Sequence, residues 1–371
     1  MDTSRREFLH YAAAGAALGL GVRPSVGVRP MPFTRSRLRI LVLGGTGFLG
    51  PQFVEYALSR GHTLTLFNRG RTNTHLFPDV EKLVGDRNGD LESLRGRTWD
   101  AVVDNSASNP KWVRDSAQLL KDAVGTYLFT STRSVYSDFS TIGMDESGPV
   151  FQVDRAAIDE GRQLPYGQAK ALCEVEANAA LPGRTLIVRP GLIVGPGDNT
   201  DRFTYWPARI DRGGEVLAPG DPDNRVMFID VRDLAEWYVH LLERGALGVL
   251  NALGPEAPLS YAELLYGIRA VTASPVSFAW VDTDFLLERR VRPYTDMPLW
   301  MPARDDRVGF NRFDLTRPLQ MGIAYRPLAV TAKDTLDFYK SQPPERQRDL
   351  RAGLEAERER GLLAEWHLVQ R

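Results

Sequence analysis

The sequence predicts an α/β fold, a Rossmann-type, doubly wound parallel sheet with a smaller C-terminal lobe. Three observations indicate this fold. A glycine-rich turn at residues 44–50 (GGTGFLG) joins an apolar run to a segment with a helical apolar period. Short apolar runs then alternate with amphipathic stretches to about residue 195, as in parallel α/β sheets. From Pro196 onward the chain becomes rich in Gly, Pro and Asp, which indicates a separate lobe.

The elements of the predicted sheet follow one another at short intervals. Six apolar runs are predicted to be strands: residues 39–43, 63–67, 81–84, 101–104, 127–130 and 185–189. A helix is predicted over residues 167–180, because Leu181-Pro182-Gly183 is an ordinary helix stop. We therefore divide the chain into a targeting segment (1–30), the sheet domain (38–195), the lobe with returning sheet elements at about 226–255 (196–340), and a charged C-terminal helix (341–371).

Composition restricts the class of protein. The chain has 371 residues, of which 43% are hydrophobic, enough for one large core or two joined lobes. A net charge of −1 provides no electrostatic attraction to nucleic acid or anionic lipid, so no nucleic-acid partner is expected. Cys173 is the only cysteine, so no internal disulfide can form. The five histidines have no ligand-like spacing, and no metal site is predicted.

The first 30 residues have the pattern of a targeting segment. Residues 4–9 (SRREFL) resemble a twin-arginine export motif, and the weakly apolar run at residues 11–20 is too short for a stable membrane span. The resemblance implies the twin-arginine export machinery as a partner and a periplasmic location. No Ala-x-Ala cleavage site follows, so cleavage and retention at the membrane by an uncleaved signal both stay open.

The glycine turn has the context of a dinucleotide-binding fingerprint. Gly44 allows the tight turn, Gly47 lets backbone amides approach a pyrophosphate, and Gly50 lets the helix pack close to the strand. The helix N-terminus offers unpaired N–H groups to phosphates. The alternative is a turn that needs glycine for steric reasons alone. The candidate cofactor contacts in this turn are Gly44, Thr46, Gly47, Phe48 and Leu49.

A second motif supports the first. Tyr166 is the only one of twelve tyrosines with a lysine, Lys170, four residues on, and the chain has only six lysines. On a helix, this spacing puts both side chains on one face. Together with the glycine spacing, the stretch at residues 165–174 resembles the extended short-chain dehydrogenase/reductases, the NAD-dependent epimerase/dehydratase family. The resemblance covers about residues 38–340.

The resemblance implies a catalytic group of three residues. Tyr166 would be the acid or base, with its pKa lowered from about 10 by a nearby ammonium and by the cofactor. Lys170 would hold the nicotinamide ribose. Thr132, in the stretch STRSVY at residues 131–136, falls on the hydroxyl that orients the substrate oxygen. Arg133 and Ser134 stand where a dehydratase would carry an acidic pair, so elimination is disfavoured.

The end of the second strand bears on cofactor choice. It carries Asn68 and Arg69 instead of an acidic residue that would accept the ribose 2′-hydroxyl of NAD, which favours NADP over NAD. The other cofactor contacts that the resemblance implies are Asp86, Arg87, Ser106, Ala107, Lys170 and Pro190. The family's relay asparagine is absent from residues 111–123, so the proton relay is expected to differ.

These patterns predict an NAD(P)-dependent oxidoreductase or epimerase acting on a hydroxyl or ketone of a sugar-like or other small polar substrate. The alternative is a non-catalytic dinucleotide- or RNA-binding member of the same superfamily. The resemblance also implies a homodimer. Four residues of the lobe are candidate substrate-cavity walls, with core positions as the open alternative: Arg202, Tyr205, Trp206 and Arg209.

Overall fold

The computed structural model describes residues 37–105 and 107–371, in which twelve strands are assigned. They are β1 (Arg39–Leu43), β2 (Thr63–Asn68), β3 (Glu81–Val84), β4 (Trp99–Asp104), β5 (Val124–Thr130), β6 (Thr185–Pro190), β7 (Leu192–Val194), β8 (Gly214–Pro219), β9 (Arg225–Asp230), β10 (Gly248–Ala252), β11 (Gly254–Ser260) and β12 (Val276–Val281). All six predicted strands are present, and their boundaries shift by at most three residues.

Helices alternate with these strands. In the described residues they are α1 (Leu49–Ser59), α2 (Pro110–Leu120), α3 (Ala156–Asp159), α4 (Tyr166–Ala180), α5 (Tyr205–Asp211), α6 (Val231–Glu243), α7 (Tyr261–Arg269), α8 (Thr283–Glu288), α9 (Thr316–Gln320), α10 (Leu328–Ser341), α11 (Pro344–Arg348) and α12 (Ala356–Val369). None of the helices in this part of the chain has the length and apolarity needed to cross a membrane.

Seven strands form one parallel sheet in the order β3-β2-β1-β4-β5-β6-β10. Helices α1 and α6 pack together on one face of this sheet, and α2 and α4 pack together on the other. Because both faces are covered, the strands are continuous apolar runs, as in β1, where four of five residues are buried. The predicted fold class is confirmed. The strand order reverses at β1, where such sheets bind ligands beyond the carboxyl ends of their strands.

The smaller lobe has its own core. Strands β7, β9 and β11 form a three-stranded sheet, and β8 pairs with β12. Trp206, Tyr261 and Trp300 lie in the core of this lobe. The chain then returns to the large sheet through α6, whose N-terminus is capped by Asp230, and β10.

The C-terminal segment, where a charged helix was expected over residues 341–371, forms two helices, α11 and α12. Gly353 lies between them with a φ of 95°, and a Cβ at this position would be 2.0 Å from the Tyr205 ring. The Asp201 carboxylate also accepts a hydrogen bond from the Arg351 backbone N–H (2.9 Å), which holds the break in place. In α12 the buried Glu359 pairs with Arg209 (2.6 Å), so this helix packs on the smaller lobe.

Candidate active site

Two glycines of the turn after β1 differ in what surrounds them. A Cβ on Gly50 would be 2.5 Å from the carbonyl carbon of Gly45, so α1 can approach the turn only because residue 50 is glycine. A Cβ on Gly47 would meet no atom within 4 Å, and this residue is exposed. The fold therefore requires glycine at position 50, whereas no steric contact in the described protein requires it at position 47.

The N-terminus of α1 lacks a side-chain cap. The first turns of α2 and α6 are capped by Asn109 and Asp230, whose side chains accept hydrogen bonds from backbone N–H groups. Among the described residues no side chain caps α1, and its first turn contains no acidic residue. The N–H groups at this end are therefore available to an anionic ligand.

A cavity of about 230 Å³ lies on one side of the glycine turn. Arg69 and Arg71 are exposed here, and neither forms an ion pair within the described residues. Asn68 accepts a hydrogen bond from the Gly70 N–H (2.9 Å). The lining includes seven of the predicted cofactor contacts: Gly44, Thr46, Gly47, Asn68, Arg69, Asp86 and Arg87.

Arg87 lies at the edge of this cavity, but its guanidinium is engaged elsewhere. It donates two hydrogen bonds to the buried Asp104 carboxylate at the end of β4 (2.5 and 2.7 Å). Tyr127 donates a third to the same carboxylate (2.7 Å), and Ser116 accepts one from Arg87 (2.7 Å). Arg87 therefore positions the end of β4 through a buried ion pair, a role that was missed from the sequence.

A second cavity, of about 600 Å³, lies between the large sheet and the smaller lobe. Its lining includes six of the predicted site residues: Phe48, Ala107, Thr132, Tyr166, Lys170 and Pro190. Leu49 is buried in the core under the sheet and lines neither cavity. Ser106 lies outside the described residues.

Lys170 is held beneath the second cavity by backbone carbonyls. Its ammonium is buried and donates hydrogen bonds to the carbonyl oxygens of Ala107 (2.7 Å) and Thr130 (2.5 Å). It also lies 4.2 Å from the centroid of the Phe129 ring. Burial lowers the pKa of Lys170 to about 8. An ammonium has three donors, so one N–H is left beyond the two carbonyls, and no relay asparagine is needed to hold this side chain.

Tyr166 begins α4 and lies at the mouth of the same cavity. The residue is 55% exposed to the cavity opening, although protein surrounds it closely enough for burial to raise the pKa of its phenol. The neighbouring Thr132 side chain and the positive charge of Arg202 oppose this rise in the pKa of Tyr166. The lowering expected from the sequence depended on a nearby ammonium and on the cofactor, whereas the protein's own groups raise the pKa of Tyr166. Lys170 is engaged by the two carbonyls, and Arg202 is the cation that acts on the phenol.

Asn105, which follows β4, carries an unsatisfied donor into the second cavity. Its amide nitrogen is buried and has no hydrogen-bond partner in the part of the chain that the structure describes. The two cavities, the open face at Gly47, the uncapped α1 and this donor fit an elongated ligand with several acceptors. A dinucleotide with a central pyrophosphate is such a ligand.

The smaller lobe supplies part of the second cavity's wall. Of the four candidate wall residues, Arg202 lines the cavity, whereas Tyr205, Trp206 and Arg209 are buried in the lobe. Sequence reasoning missed four lining residues from distant parts of the chain: Tyr294, Met301, Arg307 and Phe310. They follow no local motif, so only the tertiary structure identifies them.

The parallel sheet, the open glycine turn and the Tyr166–Lys170 helix define a dinucleotide-binding α/β class. Residues 40–252 match the model of the NAD dependent epimerase/dehydratase family, and the chain belongs to this family. Membership supports a nicotinamide dinucleotide cofactor and an oxidoreductase or epimerase activity.

Individual relatives match between 64% and 82% of this chain. A 2-alkyl-3-oxoalkanoate reductase from Stenotrophomonas maltophilia is 28% identical over 260 residues, 64% of this chain and 77% of the relative. A dTDP-4-dehydro-6-deoxy-D-allose reductase from a Streptomyces species is 27% identical over 343 residues, 81% of this chain and 96% of the relative. The crystal structure of WbmH from Bordetella bronchiseptica, in complex with NAD+, is 15% identical and covers 82% of this chain and 99% of its own. Its TM-score of 0.58 indicates a shared fold.

Proposed function

We propose that this protein is an NADP(H)-dependent oxidoreductase or epimerase acting on a hydroxyl or carbonyl group of a small polar, sugar-like molecule. The observation that carries the proposal is that Thr132, Tyr166 and Lys170 all line the second cavity, with Lys170 one helical turn from Tyr166. The two named relatives are both reductases, which supports hydride transfer.

A nicotinamide, when bound, supplies or accepts the hydride, and the protein's residues handle the proton and the orientation. Tyr166 donates its phenolic proton to a carbonyl oxygen during reduction and accepts a proton from a hydroxyl during oxidation. Thr132 orients the substrate oxygen through a hydrogen bond. Burial raises the pKa of Tyr166 and so favours the protonated phenol, the form that the general-acid role in reduction requires.

Lys170 would hold the cofactor. Two of its donors are engaged by backbone carbonyls, so the third is available to the nicotinamide ribose hydroxyls. At neutral pH the ammonium is still largely charged, since burial lowers its pKa only to about 8. The carbonyls fix its position before the cofactor arrives.

The preference for NADP rests on the first cavity. Asn68 ends β2 without a carboxylate that would repel a 2′-phosphate, and Arg69 and Arg71 line the same cavity without ion-pair partners in the described residues. Arginine binds phosphate strongly because it offers charge-assisted, paired hydrogen bonds.

The test compares full-length wild-type protein with Tyr166→Phe. NADPH and NADH binding are measured by fluorescence titration, and turnover of a panel of ketones and keto sugars is followed by NADPH consumption. We expect Tyr166→Phe to bind NADPH like the wild type and to lose about 10²–10⁴-fold in turnover. Full turnover by this variant would refute the role of Tyr166. Failure to bind either dinucleotide, with salt-sensitive RNA retention, would favour the RNA-binding alternative.

We also propose that the folded protein is exported through the twin-arginine route. The proposal rests on the sequence of residues 4–20, which lie outside the described residues. Such a route carries folded proteins, which suits an enzyme that acquires its dinucleotide in the cytoplasm.

A further inference from the structure

One buried arginine of the second cavity differs from the other buried arginines. Among the described residues, four arginines are less than 9% exposed. Three of them form an ion pair with a buried carboxylate, in the pairs Arg87–Asp104 (2.5 Å), Arg189–Glu174 (2.7 Å) and Arg209–Glu359 (2.6 Å). The fourth, Arg133, is 4% exposed and has no carboxylate partner in this part of the chain.

Neutral groups hold the Arg133 guanidinium in place. Nη1 donates to the Phe310 carbonyl oxygen (3.1 Å) and to Asn311 Oδ1 (3.0 Å), and Nη2 donates to the Tyr294 hydroxyl. The guanidinium carbon also lies 3.9 Å from the centroid of the Phe310 ring. Arginine has five donors, so these three hydrogen bonds leave two N–H groups of a fixed, charged side chain unused.

This arrangement is unfavourable without an anion. Burial lowers the pKa of Arg133, whereas in Arg87 and Arg189 the effect of burial is outweighed by a carboxylate and the pKa is raised. Removing a cation from water is unfavourable unless a partner compensates the charge. Since the protein supplies no carboxylate among the described residues, the compensating anion is expected to come from a ligand.

The rest of the cavity is also positively charged. Lys170, Arg202 and Arg307 line it, and Asp198 is the only acidic residue among the described lining residues. The Asp198 carboxylate accepts hydrogen bonds from the N–H and hydroxyl of Thr200 (2.8 and 2.7 Å). Arg202 donates to the Thr200 hydroxyl (3.1 Å) and forms no ion pair within the described chain. A second guanidinium is therefore available beside the first.

We infer that the substrate carries a carboxylate close to its reacting carbon, and that Arg133, flanked by Arg202, binds this carboxylate. The inference rests on the proposed function for the position of the reacting carbon, which lies at Thr132 and Tyr166. Because Arg133 directly follows Thr132, the carboxylate is a few bonds from the reacting oxygen. The substrate class is a hydroxy or oxo acid, uronic acids included. The planar guanidinium matches a carboxylate by paired hydrogen bonds.

Calorimetric titration of the full-length protein tests this inference without requiring hydride transfer. The probes are 3-hydroxybutanoate and D-glucuronate, and their neutral counterparts are 3-hydroxybutanamide and D-glucose. We expect each acid to bind at least about tenfold more tightly than its counterpart. Arg133→Gln should weaken acid binding about 10- to 150-fold, the range for hydrogen bonds to charged groups.

Two further variants and a control complete the experiment. Arg202→Gln should weaken acid binding less than Arg133→Gln. Arg133→Lys keeps the charge and should recover part of the affinity, and it replaces Arg133→Gln if that variant fails to fold. The control, Arg360→Gln, changes an exposed arginine of α12 and should bind the acids like the wild type.

Three results would overturn the inference: equal affinity for acid and neutral counterpart, unchanged acid binding in Arg133→Gln, or no saturable binding of either acid. Its failure is distinct from failure of the proposed function. Hydride transfer that is equally fast with the neutral compounds would support the proposed function and contradict the carboxylate site. Acid binding that depends on Arg133, in a protein that binds no dinucleotide, would support the carboxylate site and contradict the proposed function.

Discussion

Alanine substitutions at Gly47 and Gly50 distinguish a turn that binds a ligand from a turn that is glycine-rich for structural reasons alone. In Gly50→Ala, the new methyl would lie 2.5 Å from the Gly45 carbonyl carbon, and backbone cannot yield like a flexible side chain. Overpacking of this kind costs about 1–3 kcal/mol of unfolding free energy. In Gly47→Ala, the methyl meets no atom within 4 Å and the backbone has no positive φ. This change should leave the unfolding free energy unchanged or raise it by about 0.4–1 kcal/mol.

In dinucleotide binding, unlike in stability, we expect Gly47→Ala to be more damaging than Gly50→Ala. The Gly47 methyl would occupy the open face that we assign to the pyrophosphate. We take the loss of binding free energy to be that of overpacking a core, about 1–3 kcal/mol. This loss would raise the Kd for NADPH by about 5- to 150-fold. Gly47→Ala should therefore be fully folded and defective in binding.

Urea unfolding and NADPH fluorescence titration on the same preparations measure both quantities. Wild-type NADPH affinity in Gly47→Ala would refute the placement of the pyrophosphate at this face. Wild-type stability in Gly50→Ala would refute the steric account of the helix approach. A loss of stability in Gly47→Ala would show that the turn is glycine-rich for structural reasons.

Three other predictions concern basic side chains. Lys170 has a folded pKa of about 8, below the ordinary 10.5, so the unfolded state binds more protons between these values. The unfolding free energy of the wild type should thus rise from pH 8 to about 10.5 relative to Lys170→Met, and parallel urea-unfolding profiles would contradict this. Arg69→Ala should lose about 10- to 100-fold in NADPH affinity with little change for NADH, since it removes charge-assisted bonds to one phosphate; equal losses for both would contradict a 2′-phosphate contact. Replacing Arg5 and Arg6 by Lys should abolish export, and periplasmic recovery of that variant in cell fractionation would contradict the twin-arginine proposal.

The large sheet was predictable because its signals are local. Strands such as β1 are buried on both faces, so they are continuous apolar runs between polar turns. The Tyr166–Lys170 pair needs only helical spacing, and α4 supplies it. The glycine turn likewise combines a short strand, a turn and a helix within about twenty residues, so its geometry can be predicted from local sequence.

Contacts between distant segments were not predictable. Arg87 pairs with Asp104, which is 17 residues away, and Arg133 donates to Tyr294, which is 161 residues away. The break at Gly353 depends on its contact with Tyr205. The direction of the Tyr166 pKa shift also depended on the tertiary structure, because the effect of burial outweighs that of Arg202.

The most direct test of the proposed function follows the hydrogen that is transferred from NADPH to the substrate. Full-length protein is incubated with NADPH that carries deuterium at the transferable nicotinamide position, and with a series of oxo acids and ketones. We predict products that contain one deuterium with the wild type, and a rate lower by about 100-fold or more in Tyr166→Phe at unchanged NADPH affinity. Bound NADPH with no deuterium in any product would contradict the reductase activity, and equal rates in both proteins would contradict the role of Tyr166.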